Sequence, residues 1–194
     1  AAAAEMADKL PEVMDEEATA MAFPVDYNES MNTLLCQEQV KFNNLLRVMK
    51  HTLFNVQRAL KGLLVMSTDL ETVANAIFTQ DIPVVWESVG YPSLMPLTPW
   101  FLDLLKRVEF MEKWIEFGTP KAFWISGFFF PQAFLTGTLQ NFARKYQKPI
   151  DTIDFDFKFR DEKKTDASDI TERAPDGAYV YGLFIQGARW NYET

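Results

Sequence analysis

Residues 42–63 read FNNLLRVMKHTLFNVQRALKGL, and their apolar positions are separated alternately by four and three residues. On an α-helix this spacing places the apolar side chains in one continuous seam. With Ser30 as N-cap, the pattern predicts a helix over residues 30–66, with about 33 helical residues and a length of roughly 50 Å. Such a helix needs a partner along its seam, either a coiled-coil mate or a large neighbouring body. The seam consists of Leu35, Phe42, Leu46, Met49, Leu53, Val56, Leu60 and Leu63.

Start and stop signals predict further helices around this one. Residues 5–27 are typical of a short helix followed by a linker, and residues 90–98 of a loop. Three helices are expected downstream: residues 69–79 after the capping box Thr68–Glu71, residues 98–117 between Thr98-Pro99 and Gly118, and a helix from Pro131 that ends at Lys148-Pro149.

The pattern changes near the end of the sequence. Ile153, Phe155, Phe157 and Phe159 alternate with charged residues, which predicts a half-buried strand. A charged loop over residues 161–177 and a second strand over residues 179–186 follow. Because an isolated pair of strands is marginal in water, we expect the sequence to be a fragment cut inside a β-rich unit.

Composition excludes several classes of function. The net charge of −8 disfavours nucleic acids and anionic membrane surfaces as partners. One cysteine excludes a disulfide framework, and one histidine excludes a multi-histidine metal site. No apolar run reaches ~18 residues, so we expect no membrane span, and no signal peptide is visible.

Catalytic motifs are absent from the sequence. None of the eight glycines belongs to a phosphate-binding loop or a nucleophile elbow. His51 is expected on the polar side of the long helix, where a triad role lacks support. Cys36 is expected to be a buried structural residue rather than a nucleophile. Asp154 and Asp156 are either a carboxylate pair or, as we favour, part of a solvated strand face.

The most unusual stretch is aromatic and runs from Phe123 to Gly137; we call it the aromatic signature. It either lines a ligand pocket or forms core and interface. Pockets need convergent polar groups, and only Ser126, Gln132 and Thr136 lie nearby. We therefore favour packing. The candidate structural and interaction residues are Trp124, Gly127, Phe128, Phe129, Phe130, Pro131, Gln132, Phe134 and Gly137.

The aromatic signature resembles the C-terminal region of axonemal dynein heavy chains, and its intact run from Phe128 to Gln132 looks more like inner-arm heavy chains than cytoplasmic dynein. The resemblance covers about residues 5–194. Seven other stretches also match the family: Tyr27–Thr33, Leu60–Ser67, Tyr91–Leu94, Asn141–Tyr146, Pro149–Ile153, Asp176–Tyr179 and Gly187–Trp190.

The resemblance implies a domain organisation. Residues 1–27 would be the end of the sixth AAA+ module with its exit linker, residues 28–150 the helical part of the C-terminal domain, and residues 151–194 the start of its β-barrel, here truncated. The expected fold class is mainly α with a C-terminal β portion. It would be a helical layer with one long helix, whose seam lies on the ring of AAA+ modules rather than on a compact core, followed by the first strands of an incomplete barrel.

The resemblance also implies a function. The parent would be an ATP-driven motor that moves toward microtubule minus ends in the axoneme of cilia and flagella, within the cytoplasm and cytoskeleton. ATP or ADP with Mg²⁺ would bind in earlier AAA+ modules, so this segment needs no catalytic residue, cofactor or metal. Its expected partners are the other AAA+ modules, with intermediate chains, light chains and microtubules reached through the parent complex. Its expected role is to brace the ring and modulate force.

Two other hypotheses stay open at this point. One is a free-standing helical interaction scaffold that uses the aromatic patch at residues 123–134 to bind a partner. The other is a small-ligand-binding domain with a pocket in the same stretch. A cooperative melt of the isolated monomer would favour the scaffold, and a response of Trp124 fluorescence to a metabolite would favour the pocket.

Overall fold

The computed structural model describes residues 2–158 and 167–182. The molecule divides into two compact units: unit 1 contains residues 1–16 and 39–112, and unit 2 contains residues 17–38 and 113–194. The described elements are α1 (Ala2–Lys9), α2 (Glu16–Ala22), α3 (Ser30–Leu60), α4 (Thr68–Thr79), α5 (Val84–Glu87), α6 (Leu97–Phe117), β1 (Ala122–Trp124), α7 (Pro131–Tyr146) and β2 (Tyr179–Tyr181), with 3-10 turns at Ile125–Gly127, Ile150–Thr152 and Ala167–Asp169.

Unit 1 is built on residues 39–60 of α3. The side chains of Phe42, Leu46, Met49 and Leu53 are fully buried, so this part of the seam is covered by the protein's own residues. The expectation that the seam lies on another body rather than on a compact core is therefore wrong here. The physical reason is that the protein's own residues supply enough apolar surface to bury it.

Polar contacts fix other elements of unit 1 to α3. Trp86 on α5 stacks on Trp100 with ring centroids 6.3 Å apart, and its Nε1 donates a hydrogen bond to Thr52 Oγ1 at 2.7 Å. The Asn43 amide pairs with the backbone of Met14, accepting from its N–H at 2.9 Å and donating to its carbonyl at 2.8 Å. The Trp86 indole and the Asn43 amide thus both have partners, as burial requires.

Unit 2 joins the first turn of α3 to α7. Gly137 lies at the point of closest approach, where an added Cβ would stand 3.0 Å from Met31 Cε. Ser30 N donates to Asn141 Oδ1 at 2.8 Å, and Ser30 Oγ donates to Gln140 Oε1 at 3.0 Å. Ser30 is the first residue of α3, and its side chain donates a hydrogen bond to a residue of α7.

The long helix ends earlier than predicted. α3 stops at Leu60 because Gly62 has a φ of 71° and a Schellman motif closes the helix. In this motif Leu63 N donates to Arg58 O at 2.9 Å and Gly62 N donates to Ala59 O at 3.0 Å. Leu60 and Leu63 are consequently exposed and do not belong to the buried seam.

Other helix boundaries differ from the prediction by small amounts. The N-cap of α4 is Ser67, whose Oγ accepts from Leu70 N, so the proposed capping box of Thr68 and Glu71 is wrong. α6 begins one residue early, at Leu97, and ends before Gly118 as predicted. The predicted linker holds a second short helix, α2.

The strand predictions are only partly confirmed. Residues 153–158 form neither helix nor strand, so the predicted strand is wrong there, and Phe159 lies outside the described residues. β2 falls in the predicted second strand, but it pairs in parallel with β1, Ala122 opposite Tyr179. Alternation at residues 153–157 has no ladder partner among the described residues. The mainly helical fold is confirmed, and the incomplete barrel stays a prediction.

Candidate functional site

The aromatic signature spans β1, the turn at Ile125–Gly127 and the first half of α7. Phe128 and Phe134 stack with centroids 5.2 Å apart, and Phe123 lies 4.9 Å from Phe134. Trp114 on α6 meets Phe123 edge-on at 5.4 Å. Such offset and edge-to-face pairs add to the stabilisation from burial, so these rings form an aromatic core inside unit 2.

The candidate residues fall into three classes of exposure. Phe128 and Phe134 are buried in this core, together with the backbone at Gly127 and Gly137. Three others are half-buried and two are exposed. The half-buried residues are Trp124, Phe129 and Pro131, and the exposed ones are Phe130 and Gln132.

Gly127 is required by the ring beside it. A Cβ at Gly127 would lie 2.6 Å from Cε3 and 2.8 Å from Cδ2 of Trp124. Real Cβ atoms do not approach a ring this closely, and the indole is rigid. The Trp124–Gly127 pair of the aromatic signature is therefore one packing unit.

A buried carboxylate, Glu38, holds the aromatic signature and is not among the residues predicted from the sequence. Glu38 is only 1% exposed, and it accepts hydrogen bonds from Phe129 N at 2.5 Å and Phe130 N at 3.1 Å. The N-cap of α7, Phe130, has no side-chain capping bond of its own, and Pro131 occupies the first helical turn. The negative charge therefore stands where free amides and the helix dipole favour an anion.

A sequence signal for Glu38 exists. The seam skips from Leu35 to Phe42, and Glu38 lies three residues after the one and four before the other. An acid on the buried face of a helix is unusual unless it is paired. This position predicts a buried carboxylate that needs donors, although its donors cannot be named from the spacing.

A cavity of about 360 Å³ opens in unit 2 beside α7. Phe123 lines it, and four of its charged lining residues form two ion pairs: Lys145 Nζ lies 2.7 Å from Asp176 Oδ1, and Arg173 Nη1 lies 3.1 Å from Glu29 Oε2. The hydrogen bond from Lys145 lowers the pKa of Asp176. The ion pairs leave these groups engaged with each other, which does not favour the ligand-pocket hypothesis.

The candidate reactive residues are dispersed. His51 is exposed, and its Nε2 lies 3.1 Å from Asn55 Nδ2. Burial raises the pKa of the half-buried Cys36 thiol, which lowers its thiolate fraction. Asp154 and Asp156 are both exposed. Within residues 2–158 and 167–182, no group of three or more His, Cys, Asp or Glu side chains is placed to hold a metal ion.

None of the helices in the described residues has both the length and the apolarity needed to cross a bilayer.

The described site is a buried aromatic core, held by one carboxylate and bordered by paired charges. It defines a helical packing module.

Comparison with known proteins identifies the family of this module. The family described as the C-terminal domain of the dynein heavy chain matches residues 1–194. Dynein axonemal heavy chain 1 of Homo sapiens is 51% identical over 186 residues, which cover 96% of this protein and 4% of the relative. Dynein axonemal heavy chain 3 of Homo sapiens is 46% identical over 193 residues, 99% of this protein and 5% of the relative. The protein belongs to the family of dynein C-terminal domains.

A third relative agrees: dynein axonemal heavy chain 12 of Mus musculus is 45% identical over 184 residues, 94% of this protein and 6% of the relative. The predicted resemblance to the C-terminal region of axonemal dynein heavy chains is confirmed. The inner-arm type stays a prediction. The protein spans between 4% and 6% of the length of these relatives.

Proposed function

We propose that this protein is a non-catalytic segment of an axonemal dynein heavy chain that braces and modulates a ring of AAA+ modules. The parent is proposed to be an ATP-driven, minus-end-directed microtubule motor for the beating of cilia and flagella. Membership of the family supports the proposal. The observation that carries the bracing role is an unusual exposed apolar segment in unit 1.

This segment is residues 60–66, and we call it the apolar link because it joins α3 to α4. Four consecutive apolar residues, from Leu63 to Met66, are wholly or partly exposed; Leu63 is 65% and Val65 is 85% exposed. Contiguous apolar surface that faces water is a mark of an interaction site in soluble proteins. We propose that the AAA+ modules of the same heavy chain cover the apolar link.

The proposal extends to the organisation of the parent. Residues 1–27 would complete the sixth AAA+ module, residues 28–150 would be the helical part of the C-terminal domain, and residues 151–194 would begin its β-barrel. ATP or ADP with Mg²⁺ would bind in earlier modules. Intermediate chains, light chains and microtubules would be partners through the parent complex in the axoneme.

The bracing role is tested with Val65→Asp in the parent heavy chain. We expect altered microtubule gliding velocity and microtubule-stimulated ATPase activity, because a carboxylate on the apolar link would have to be desolvated at the interface. The melting temperature of the 194-residue protein should not change, since Val65 is exposed in it. Unchanged motility with an unchanged melt would contradict the role.

Val84→Asp is the matched control. Val84 is 68% exposed and lies on α5 of unit 1, outside the apolar link. The same substitution there should leave motility unaltered. An equal effect of both variants would mean that the added charge, rather than the apolar link, changes the motor.

The non-catalytic role has its own tests. Calorimetry should detect no ATP binding to the 194-residue protein, and micromolar binding would contradict the proposal. The protein alone should pellet weakly or not at all with microtubules, because both are acidic. Salt-sensitive co-sedimentation would show that this segment grips microtubules directly.

A further inference from the structure

The segment over residues 173–182 is attached to unit 2 at two ends, and we call it the strap. At its polar end, Lys145 Nζ donates to Pro175 O and to Asp176 Oδ1, both at 2.7 Å. The Tyr146 hydroxyl donates to the Asp176 carboxylate at 2.9 Å, and Arg173 pairs with Glu29. These side chains are partly exposed, so the polar end is a set of solvent-accessible ion pairs on α7 and on the residue before α3.

The other end of the strap packs on the aromatic signature. β2 pairs with β1, and Tyr181 stands opposite Trp124 in the register. Gly182 follows with a φ of 69°, and a Cβ there would lie 2.4 Å from Cδ1 and 2.6 Å from Nε1 of the Trp124 indole. The same indole rests on Gly127 through Cε3. Trp124 is therefore packed against two glycines, one from the strap and one from the turn at Ile125–Gly127.

We infer that the strap docks on the rest of unit 2 as one detachable element. Its docking fixes the position of the Trp124 indole and of the turn at Ile125–Gly127, which belongs to the aromatic signature. The device couples an exposed, charged latch at Lys145 and Asp176 to the buried aromatic core. This inference goes beyond the proposed function and does not depend on it.

Physical considerations support joint opening of the two ends. A two-stranded pair is marginal in water, so the latch should contribute to holding β2 against β1. Exposed ion pairs contribute little individually and are screened by salt. Elements with such attachments open well below the free energy of global unfolding. Loss of the latch should therefore release β2, and with it the restraint that Gly182 places on the Trp124 indole.

Hydrogen exchange of the 194-residue protein, followed by mass spectrometry, tests this coupling. Asp176→Ala removes the carboxylate acceptor of the strap and leaves Pro175 O. Lys145→Met removes the ammonium donor from α7 without changing the strap. Either variant should speed exchange about two- to five-fold, at the amides of Tyr179–Tyr181 and equally at those of Ala122–Trp124. Buried amides of α3, near Leu46 and Leu53, provide the internal reference and should not change.

Two control variants match these charge changes. Asp156→Ala and Lys148→Met alter exposed residues outside the strap and should leave exchange in β1 and β2 unchanged. Wild-type protein should show the same paired rise when the salt is raised from about 0.05 to about 0.5 M. Faster exchange in both strands supports the coupling. Faster exchange in β2 alone, no change in either strand, or an equal rise in the α3 reference overturns it.

Discussion

Replacing Glu38 with glutamine tests the role of the buried carboxylate. The variant keeps nearly the same shape, but it removes the charge and turns one of two acceptors into a donor. Phe129 N and Phe130 N then face one carbonyl oxygen and one NH₂ group, so one buried amide loses its partner. The change therefore isolates hydrogen bonding and charge from packing.

The expected cost follows from the two contacts. Hydrogen bonds to a charged group contribute about 1.5–3 kcal/mol each, and an unpaired buried amide costs about 1–3 kcal/mol. One bond is lost and the other is weakened, so the free energy of unfolding should fall by about 2–4 kcal/mol. In a protein of this length, that corresponds to a melting temperature lower by about 4–16 °C.

Urea denaturation followed by circular dichroism measures this loss, and exchange at the Phe129 and Phe130 amides localises it. Glu116→Gln, on the exposed surface of α6, is the matched control and should change stability by less than about 0.5 kcal/mol. A loss for Glu38→Gln as small as that of the control would refute the reasoning. It would mean that packing of the aromatic core, rather than the carboxylate, sets the conformation before α7.

Three further outcomes follow from the same geometry. Gly127→Ala should lower the free energy of unfolding by about 1–3 kcal/mol, since the new Cβ overlaps the Trp124 ring; an unchanged urea midpoint would contradict the packing unit. The latch should weaken as pH falls through the lowered pKa of Asp176, whose stabilisation is present above the ordinary value of 3.8. The protection factor of the β2 amides, which is corrected for the intrinsic pH dependence of exchange, should therefore fall only at acid pH; a fall near pH 7 would contradict this. Cys36 should react with Ellman's reagent at pH 7 more slowly than free cysteine, because burial raises its pKa; an equal rate would show an accessible thiolate.

The helices were largely predictable because their signal is local. Alternating spacings identified α3, and start and stop residues located α6 and α7 within a few positions. α4 was also located, although its predicted cap was the wrong residue. The end of α3 was missed because the seam continues through Leu63 in the sequence, whereas Gly62 closes the helix before it. Apolar periodicity reports which side chains share a face, but a left-handed glycine decides where that face stops.

The strands were much less predictable because pairing is a long-range property. Residues 153–157 alternate perfectly and yet form no strand, while Ala122–Trp124 has no alternation and pairs with Tyr179–Tyr181. Alternation records one polar and one apolar face; it says nothing about a backbone partner. In this protein β2 lies beside β1 with Gly182 close to the Trp124 indole, a contact that no local pattern encodes.

The sequence predicts the aromatic character of the candidate site, but not the residues that hold the site in place. The aromatic residues from Phe123 to Phe134 stand out by composition alone, and they do form a core. Among the described residues, the supports of that core include Glu38 on the seam face of α3 and the glycines that flank one indole. A single acid or glycine hardly changes the composition of the sequence. Each of these residues nevertheless restricts the conformation of the aromatic signature. Substitutions at these few positions should therefore disturb the domain more than substitutions of exposed aromatic residues such as Phe130.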